Sequence, residues 1–490
     1  MCGFIGVYGP DGTDVFPDVY DALLAVQHRG QDAAGIVTFN EGLHAQRAPG
    51  LVRDIFDERS ATHLKGELGI GHVRYPTVGA GLSDDVQPFH VALPTGIAMA
   101  HNGNVTNFLD LKGRYFPQRG IRLSSTCDLE AILYVFALEL GKTAAGEPLP
   151  DRVFKAVRGV FDVVRGAYSV VGALADRGLF AFRDPFGIKP LVLGERDTPR
   201  GKAFAVASET AALDAIGFKR VRDLEAGEAL FVDENRKLHF RKLATKPHRP
   251  CIFELVYFAR PDSFLDDVSV SRARVRFGEA LGEKWKREAP PVDHVIPIPE
   301  TSCTAAQAMA RVMGVPYREG LVKNRYVGRT FIMPSQKKRQ DAIRRKLNPI
   351  RLEFEGKRVL LVDDSIVRGN TARALVRLAR DAGATWVGFA STSPPLVSPC
   401  PYGIDMATKT EFIARGRTVD EVRRELGADA LVYLDLEEME KAAQPPDHRP
   451  PIEFCTACFT GNYPTGDVTP EMLAAIEHER IASRETVAAR

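Results

Sequence analysis

The sequence has no long apolar run and almost no net charge. Its apolar stretches, of which AYSVVGALA is typical, fall far short of the roughly 20 residues that span a bilayer. The start shows neither the basic segment nor the apolar core of a signal peptide, so we expect a cytoplasmic protein without a membrane contact. The 65 Lys and Arg residues nearly balance 63 Asp and Glu residues, giving a formal charge of +2. This balance argues against a nucleic-acid surface and favours small-molecule partners.

Cysteine is scarce as well. The 490-residue chain holds seven cysteines, an odd number spread along its length. Because cytosolic thiols usually stay reduced, this distribution argues against a disulfide framework. A chain of this length can bury two or three separate cores, and we therefore expect more than one domain.

Short apolar runs separated by turn residues dominate the first half of the chain, residues 2–240. They include GFIGVYG, LGIGHVRY, GIAMAHNGN, GLFAFRD and ALFVDE, and their length and spacing predict strands of antiparallel sheets. Between them, VYDALLAVQH and CDLEAILYVFALELG carry apolar residues three and four positions apart, which predicts helices. The first half is thus predicted to be a mixed α and β domain.

The pattern changes after the polar segment KLATKPHRP, which ends at Pro250 and is the best candidate for a linker. The runs VDHVIPIPE, GVPYREG and KRVLLVDDS predict strands, and NTARALVRLARDAGA predicts a helix with separate apolar and arginine faces. Strands that alternate with helices indicate a parallel sheet. We predict an α/β domain over residues 250–455 and a tail over residues 456–490 that ends in a helix.

Two adjacent acids, Asp363 and Asp364, end one of these strands in VLLVDDSIVRGNT. A loop and a helix start follow, and parallel sheets bind phosphate at such places through free backbone N–H groups. The two carboxylates can hold Mg²⁺ or accept hydrogen bonds from a sugar diol. An Asp-Asp pair can also simply end a strand and cap a helix. No GKS or GKT follows the glycine, so an ATP-binding loop is not indicated.

The same string resembles the phosphoribosyl pyrophosphate (PRPP) loop of type I phosphoribosyltransferases. The resemblance implies PRPP as a ligand and Mg²⁺ as a cofactor. It assigns PRPP binding to Asp363, Asp364, Ser365, Arg368, Gly369, Asn370 and Thr371. Asn370 departs from the pattern, because the family commonly has threonine at this position.

Cys2 lies directly behind the initiator methionine in MCGFIGVYG. If Met1 is removed, the thiol and a free α-amine sit on one carbon, which combines a nucleophile with a base. The pKa of such an amine, about 7.7 to 8.0, leaves it partly neutral at cellular pH. Taken alone, a cysteine at this position could equally be a small buried residue.

Four further strings resemble, in content and order, those of the class II glutamine amidotransferases: VQHRGQDAAG, GHVRYPTVG, AHNGNV and STCDLE. The resemblance implies an α+β N-terminal nucleophile (Ntn) hydrolase sandwich with Cys2 as the nucleophile. Asn102 and Gly103 would donate to the oxyanion, a contribution of about 2.7 to 4 kcal/mol per donor. Arg74 would bind the carboxylate of glutamine, and Asp128 would bind its ammonium group.

Three other positions lie within these strings. Arg29 and His28 are expected to support the site, and for His28 a structural role and a catalytic role both stay open. Leu129 replaces a small polar residue of the family beside Asp128, which bears on the detail of the glutamine site.

Together the two halves resemble the glutamine PRPP amidotransferases, also called amidophosphoribosyltransferases, over nearly the whole chain. The resemblance implies that glutamine hydrolysis at Cys2 releases ammonia, which passes internally to the second site. There it would displace pyrophosphate from PRPP to give 5-phosphoribosylamine, the first committed step of purine synthesis. The resemblance also implies a homotetramer that is inhibited by purine nucleotides such as AMP and GMP.

Two alternative functions predict a different domain content. A non-catalytic PRPP-sensing regulator would need no glutaminase half and would carry a DNA-binding unit. Another glutamine-dependent synthase would need a different acceptor domain after residue 250. The intact glutaminase strings argue against the first alternative, and the PRPP loop argues against the second.

Two more segments match the PRPP site of that family. In VIPIPETSC, Glu300, Thr301 and Ser302 match the loop on the pyrophosphate side, with Thr301 linked to Mg²⁺. The segment NRYVGRTFIMPSQKKRQDAIRRK matches the loop that closes over PRPP, whereas a basic run by itself is usually a solvated face. The cations that suit the polyphosphate are Lys323, Arg325, Arg329, Lys337 and Lys338.

Four of the cysteines resemble the ligands of a [4Fe-4S] cluster in one branch of the family: Cys251, Cys400, Cys455 and Cys458. Soft thiolate ligands suit iron and sulfide, and the close pair near the end of the chain can supply two of the four. The resemblance implies a structural cluster. The strings ETSC and VKNRYVGRTFIMP look more like the branch without a cluster, so buried free cysteines and structural zinc stay open as alternatives.

Overall fold

The computed structural model describes residues 2–75, 83–175, 177–324, 346–404, 406, 408–445 and 451–478. Met1 and most of the predicted PRPP-covering loop lie outside these residues, including four of its predicted cations: Arg325, Arg329, Lys337 and Lys338.

The first half contains thirteen strands among the described residues. They are β1 Gly3–Tyr8, β2 Ala33–Phe39, β3 Leu43–Pro49, β4 Leu68–Arg74, β5 Phe89–Val91, β6 Ile97–Val105, β7 Gly166–Leu174, β8 Gly178–Arg183, β9 Val192–Thr198, β10 Gly201–Ala207, β11 Lys219–Asp223, β12 Glu228–Asp233 and β13 Leu238–Lys242. They form a seven-stranded sheet in the order β11-β9-β10-β1-β4-β2-β3 and a six-stranded sheet in the order β13-β12-β8-β7-β6-β5. The described pairings in both sheets are antiparallel, as the sequence predicts.

The helices of this half are α1 Phe16–Ala25, α2 Val52–Ile55, α3 Glu58–His63, α4 Phe108–Asp110, α5 Asp128–Gly141, α6 Leu149–Val163 and α7 Thr210–Ala215. Apolar side chains of the two sheets, such as Phe4 and Val171, meet in one buried core. Helices α1 and α7 pack on the outer face of the first sheet, and α5 and α6 pack on that of the second. The result is a four-layer α, β, β, α sandwich, which confirms the predicted fold class.

The second half is built around a four-stranded parallel sheet. Its strands are β14 Phe264–Leu265, β15 Val268–Ser269, β16 His294–Pro297, β17 Leu321–Lys323, β18 Leu347–Pro349, β19 Arg358–Asp363, β20 Trp386–Ser391 and β21 Ala430–Tyr433. Four of them form a sheet in the order β16-β19-β20-β21, and every pair in it is parallel. The predicted α/β domain with a parallel sheet is therefore confirmed.

The helices of the second half are α8 Val270–Glu288, α9 Cys303–Met313, α10 Asn370–Asp381, α11 Val419–Leu426, α12 Leu436–Ala443 and α13 Ala457–Thr460, followed by a helix over 470–478. Helix α10 buries Leu375 and Ala379 against the sheet and leaves Arg377 and Arg380 exposed, as its periodicity predicts. The run GVPYREG does not form a strand and makes a single bridge at Tyr317.

The two halves share packed surfaces. Ala167 and Ile188 of the first half lie in the same apolar core as helix α8 and the segment around Cys455. The six-stranded antiparallel sheet of the first half ends at Lys242 and the four-stranded parallel sheet begins at His294, but the predicted limits 2–240, 250–455 and 456–490 stay predictions. No helix in the described part of the chain is both long and apolar enough to span a membrane.

Candidate active sites

Cys2 immediately precedes β1, and the two-sheet packing brings it against β6. The backbone N–H of Cys2 donates to the side-chain oxygen of Asn102 at 3.2 Å. The Cys2 sulfur lies 3.8 Å from the carbonyl oxygen of Tyr75. Two residues that are 100 positions apart in sequence thus meet at one point between the sheets.

The side-chain amide nitrogen of Asn102 makes no hydrogen bond to any described residue. Its side chain is fully buried, and Nδ2 has no hydrogen-bond partner within the described structure. A buried N–H group without a partner costs about 1 to 3 kcal/mol, so the site holds a donor ready for a negatively charged oxygen. Gly103 follows with a φ of +146°, and a Cβ there would lie 2.0 Å from the carbonyl oxygen of Ala167. Only glycine fits at that position.

Arg29 hydrogen-bonds to the backbone of Cys2 and is itself held by two carboxylates. Its Nε donates to the Cys2 carbonyl oxygen at 3.0 Å. Its two terminal nitrogens pair with Glu209 and, at 2.9 Å, with both carboxylate oxygens of Glu254. Burial would raise the pKa of Glu209, but the Arg29 charge and a hydrogen bond from His28 lower it far below its ordinary value. His28 therefore takes part in a buried ionic cluster that supports the Cys2 backbone.

Arg74, the predicted carboxylate-binding residue, is the last residue of β4 and lies beside Cys2 because Gly3 pairs with Val73. It is buried, and its Nη2 lies 3.5 Å from Asp85. Asp85 also accepts hydrogen bonds from the N–H and hydroxyl of Thr126. The sequence patterns gave no signal for Asp85, whose position depends on the loop before β5.

Asp128, the predicted ammonium-binding residue, begins helix α5 and is buried. One carboxylate oxygen accepts the backbone N–H of Val105 at 2.7 Å, and the other lies 3.4 Å from Nε2 of His101. Burial would raise the pKa of Asp128, but the nearby His101 and the hydrogen bond from Val105 lower it below its ordinary value. The AHNGNV string contains His101, yet only the structure shows its contact with Asp128.

The predicted magnesium and PRPP residues meet at the carboxyl edge of the parallel sheet. Strands β16 and β19 run side by side, so the loops that follow them lie next to each other. The Thr301 hydroxyl donates to the Asp364 carboxylate, and the Ser365 hydroxyl donates to the same group at 2.7 Å. Burial and the neighbouring charge of Asp364 raise the pKa of Asp363 well above its ordinary value. A cation at this pair would relieve that repulsion.

The remaining residues of the predicted PRPP loop surround the start of α10. Gly369 has a φ of +73°, a conformation that favours glycine, and a Cβ there would have to displace the Ile413 side chain, 2.2 Å away. The side-chain oxygen of Asn370 accepts from Arg373 at 3.1 Å. Arg368 pairs with Glu411 at 2.9 Å. Lys323, from the start of the predicted covering loop, lies 3.7 Å from Glu300.

The four predicted cluster cysteines are buried in one apolar core. Cys251 and Cys455 form a parallel backbone bridge, and the N–H groups of Val397 and Ser398, before Cys400, donate to the carbonyl oxygen of Cys458. Burial raises the pKa of Cys251 to about 12. Burial and the other three thiols raise the pKa of Cys458 well above its ordinary value. The fold therefore brings the four thiols close enough to interact electrostatically.

A metal site is not preformed in the described residues. Across these ranges, no group of three or more His, Cys, Asp or Glu side chains is arranged to hold an ion. The assignments of Mg²⁺ and of a [4Fe-4S] cluster therefore stay proposals.

The fold and the two sites define a class of protein. A thiol beside a buried amide N–H group that has no partner in the described structure, in an Ntn-type sandwich, is joined to a parallel-sheet domain with a PRPP-type acidic loop. This combination is that of a glutamine-dependent phosphoribosyltransferase.

Comparison with known proteins identifies the family. A glutamine amidotransferase domain model matches residues 72–215, and a phosphoribosyl transferase domain model matches residues 283–393. The amidophosphoribosyltransferase of Escherichia coli is 48% identical over 476 residues, 96% of this chain and 93% of that protein. The amidophosphoribosyltransferase of Methanothermobacter thermautotrophicus is 42% identical over 489 residues, 99% of this chain and 98% of that protein. The chain belongs to the amidophosphoribosyltransferase family.

A solved structure supports the same assignment. The glutamine PRPP amidotransferase of B. subtilis, complexed with ADP and GMP, has a TM-score of 0.84 and 36% sequence identity, covering 96% of this chain and 98% of that one. The family confirms the predicted enzyme class, a glutamine-dependent phosphoribosyltransferase of purine biosynthesis. The alternative of a non-catalytic PRPP-sensing regulator is not favoured.

Proposed function

We propose that Cys2 hydrolyses glutamine and that the released ammonia reacts with PRPP at the acidic loop to give 5-phosphoribosylamine and pyrophosphate. The observation that carries the proposal is the contact between Cys2 and Asn102, whose free amide N–H is buried beside the nucleophile. An oxyanion donor beside a thiol is what amide hydrolysis requires.

At the first site, the thiol proton passes to the α-amine of Cys2 once Met1 has been removed. The sulfur then attacks the side-chain carbonyl carbon of glutamine, and the oxygen receives hydrogen bonds from Asn102 and the Gly103 N–H. The amine returns the proton to the leaving nitrogen, the C–N bond breaks, and ammonia departs. Water then cleaves the thioester to glutamate and the free thiol. Arg74 binds the α-carboxylate and Asp128 the α-ammonium of glutamine.

At the second site, the ammonia nitrogen bonds to C1 of PRPP as the bond from C1 to the pyrophosphate oxygen breaks. Asp363 and Asp364 accept hydrogen bonds from the ribose diol, and the loop at Ser365, Gly369, Asn370 and Thr371 binds the 5′-phosphate through backbone N–H and side-chain donors. The carboxylates and the Thr301 hydroxyl are hard oxygen ligands that suit Mg²⁺, and bound Mg²⁺ supplies charge neutralisation on the departing pyrophosphate.

One assay tests this proposal directly. Pyrophosphate release from PRPP is measured with glutamine, with ammonium, and with neither nitrogen donor. We expect release with either donor and none without one. Ammonia, whether it comes from glutamine or is added as ammonium, is the nucleophile that displaces pyrophosphate. Release that needs no nitrogen donor would contradict the proposed reaction.

A [4Fe-4S] cluster on Cys251, Cys400, Cys455 and Cys458 is a further part of the proposal. Its support is that the four thiols lie in one buried apolar core, where burial, and after it the neighbouring thiols, raise the pKa of Cys455 and Cys458; a bound cationic centre would favour the thiolate forms. Four thiolates suit an iron–sulfur cubane, which would cross-link the segment before α8 to the segment around α13.

The cluster predicts a measurable iron content. Protein purified without air should be brown, should contain about four irons per chain, and should lose colour, activity and C-terminal structure together in oxygen, because a cross-link is lost. Iron and zinc are measured by elemental analysis and structure by circular dichroism. One zinc per chain would identify the alternative metal site, and a colourless, metal-free, fully active preparation would contradict both.

We also propose a cytoplasmic homotetramer that binds inhibitory purine nucleotides. The support for nucleotide binding is the relative from B. subtilis, whose structure is a complex with ADP and GMP. Mass determination in solution and inhibition by AMP and GMP test these two points.

A further inference from the structure

Neighbouring residues at the end of β6 and just after it make hydrogen bonds to both halves of the protein. On the glutaminase side, Asn102 binds the N–H of Cys2, and the N–H of Val105 donates to Asp128. On the other side, Nδ2 of Asn104 donates to the carbonyl oxygen of Pro401 at 2.8 Å. The hydroxyl of Thr106 donates to Asp467 at 2.8 Å. The strand that carries the oxyanion donors is therefore also held by residues beyond position 400.

Gly103 is enclosed between two backbones. A Cβ on Gly403 would lie 2.6 Å from the carbonyl oxygen of Gly103 and 2.8 Å from its carbonyl carbon. On the opposite side, β7 approaches so closely that a Cβ on Gly103 would meet Ala167. Gly403 has a φ of +93°, a conformation that favours glycine. The oxyanion residue thus has no room to move toward either neighbour.

The segment 400–403 is itself fixed by the second half. Cys400 and Tyr402 are buried in the core that contains helix α8. The hydroxyl of Tyr402 hydrogen-bonds to that of Thr465 at 2.6 Å, and the hydroxyl of Tyr463 donates to the carbonyl oxygen of Pro399 at 2.8 Å. A segment anchored in this way can act as a rigid support for the strand that it touches.

We infer that segment 400–403 is a positioning element of the glutaminase oxyanion site, through the contact of Gly403 with Gly103 and the hydrogen bond from Asn104 to Pro401. The inference rests on the proposed glutaminase chemistry of Cys2. Oxyanion donors act only when they are held at the place where charge develops. The phosphoribosyltransferase half therefore completes the glutaminase site.

The test uses Gly403→Ala in the full-length enzyme. The added methyl group must displace the Gly103 peptide, and a displacement of about 1 Å can reduce a rate about 100-fold. We expect kcat for glutamine-dependent turnover to fall by about 10- to 100-fold, with KM for glutamine within about twofold, because the oxyanion forms only in the transition state. Ammonium-dependent turnover should stay unchanged, since it does not use these donors.

Gly416→Ala is the matched control. Gly416 also has a positive φ, +67°, and is exposed, and no atom of the described residues lies within 4 Å of a Cβ placed there. The control therefore introduces the same type of backbone strain in the same half without touching β6. We expect both activities to stay within about twofold of the parent enzyme.

Asn104→Ala removes the hydrogen bond to Pro401 without adding bulk, and it decides the question if Gly403→Ala does not fold. A single hydrogen bond corresponds to a decrease of about 2- to 10-fold in glutamine-dependent kcat. For both variants, binding of an aldehyde analogue of glutamine, whose adduct with Cys2 carries the oxyanion, should weaken by the same factor as kcat. Alkylation of Cys2 by iodoacetamide, followed by peptide mass spectrometry, should be unaffected.

Three results would overturn the inference: equal loss of glutamine- and ammonium-dependent turnover in folded Asn104→Ala, a raised KM with unchanged kcat, or unchanged kinetics in both variants. Failure of the proposed function would be seen differently, as a parent enzyme without glutamine-dependent turnover.

Discussion

Cys2→Ala is expected to abolish glutamine-dependent turnover while ammonium-dependent turnover survives. In the proposed mechanism the nucleophile and the base both belong to residue 2, whereas the acidic loop after β19 uses neither. Removal of a catalytic nucleophile typically costs several orders of magnitude in rate, about 10⁶-fold in a hydrolase that has been dissected in this way. The measurement is pyrophosphate release from PRPP with each nitrogen donor, in the same preparation.

A chain in which removal of Met1 is blocked should behave like Cys2→Ala. Its thiol is present, but the α-amine is then an amide nitrogen and cannot accept a proton. The ammonium-dependent rate of each preparation serves as the control for correct folding. If both activities disappeared together, the two sites would not be separate, and the proposed division of the reaction would be wrong.

The double substitution Asp363→Ala with Asp364→Ala is expected to remove both synthetic activities. In the proposed mechanism the ribose diol and Mg²⁺ would lose their carboxylates, so neither glutamine nor ammonium could supply a product. Glutamine hydrolysis should persist at a low level, because the substitution changes neither Cys2 nor segment 400–403. Pyrophosphate release, glutamate formation and a direct PRPP titration measure the three effects.

Asp420→Ala is a suitable control for this pair. Asp420 is an exposed acid at the start of α11, where it pairs with Arg423, and exposed ion pairs contribute little to stability. It should leave PRPP titration and both activities near those of the parent. Undiminished PRPP binding in the Asp363 and Asp364 variant would show that PRPP binds elsewhere.

Local patterns in the sequence were sufficient to predict the two fold types. The period of apolar residues in α10 and the apolar run that ends at Asp363 depend only on neighbours within a few positions, and the structure has the helix and the strand where those patterns lie. Helix and strand periods arise from backbone geometry, so they can be read without the rest of the chain. The predicted strand GVPYREG did not form and makes only a single bridge, at Tyr317.

The resemblance of its strings to known families also named the candidate site residues. It did not show which residues those side chains contact. Arg29 was expected to support the site, and only the structure pairs it with Glu254, 225 positions away. The approach of Gly403 to Gly103 had no signal in either string, because glycine patterns do not reveal which backbones touch.

The physical reason is the range of the interactions. Strand and helix preferences act over a few residues, whereas the contact of Cys2 with Asn102 needs two sheets to pack face to face, and the contact of Asn104 with Pro401 needs two domains to dock. The sequence alone determined which chemistry the chain carries. The tertiary structure decided that the second half supplies part of the support for the first active site.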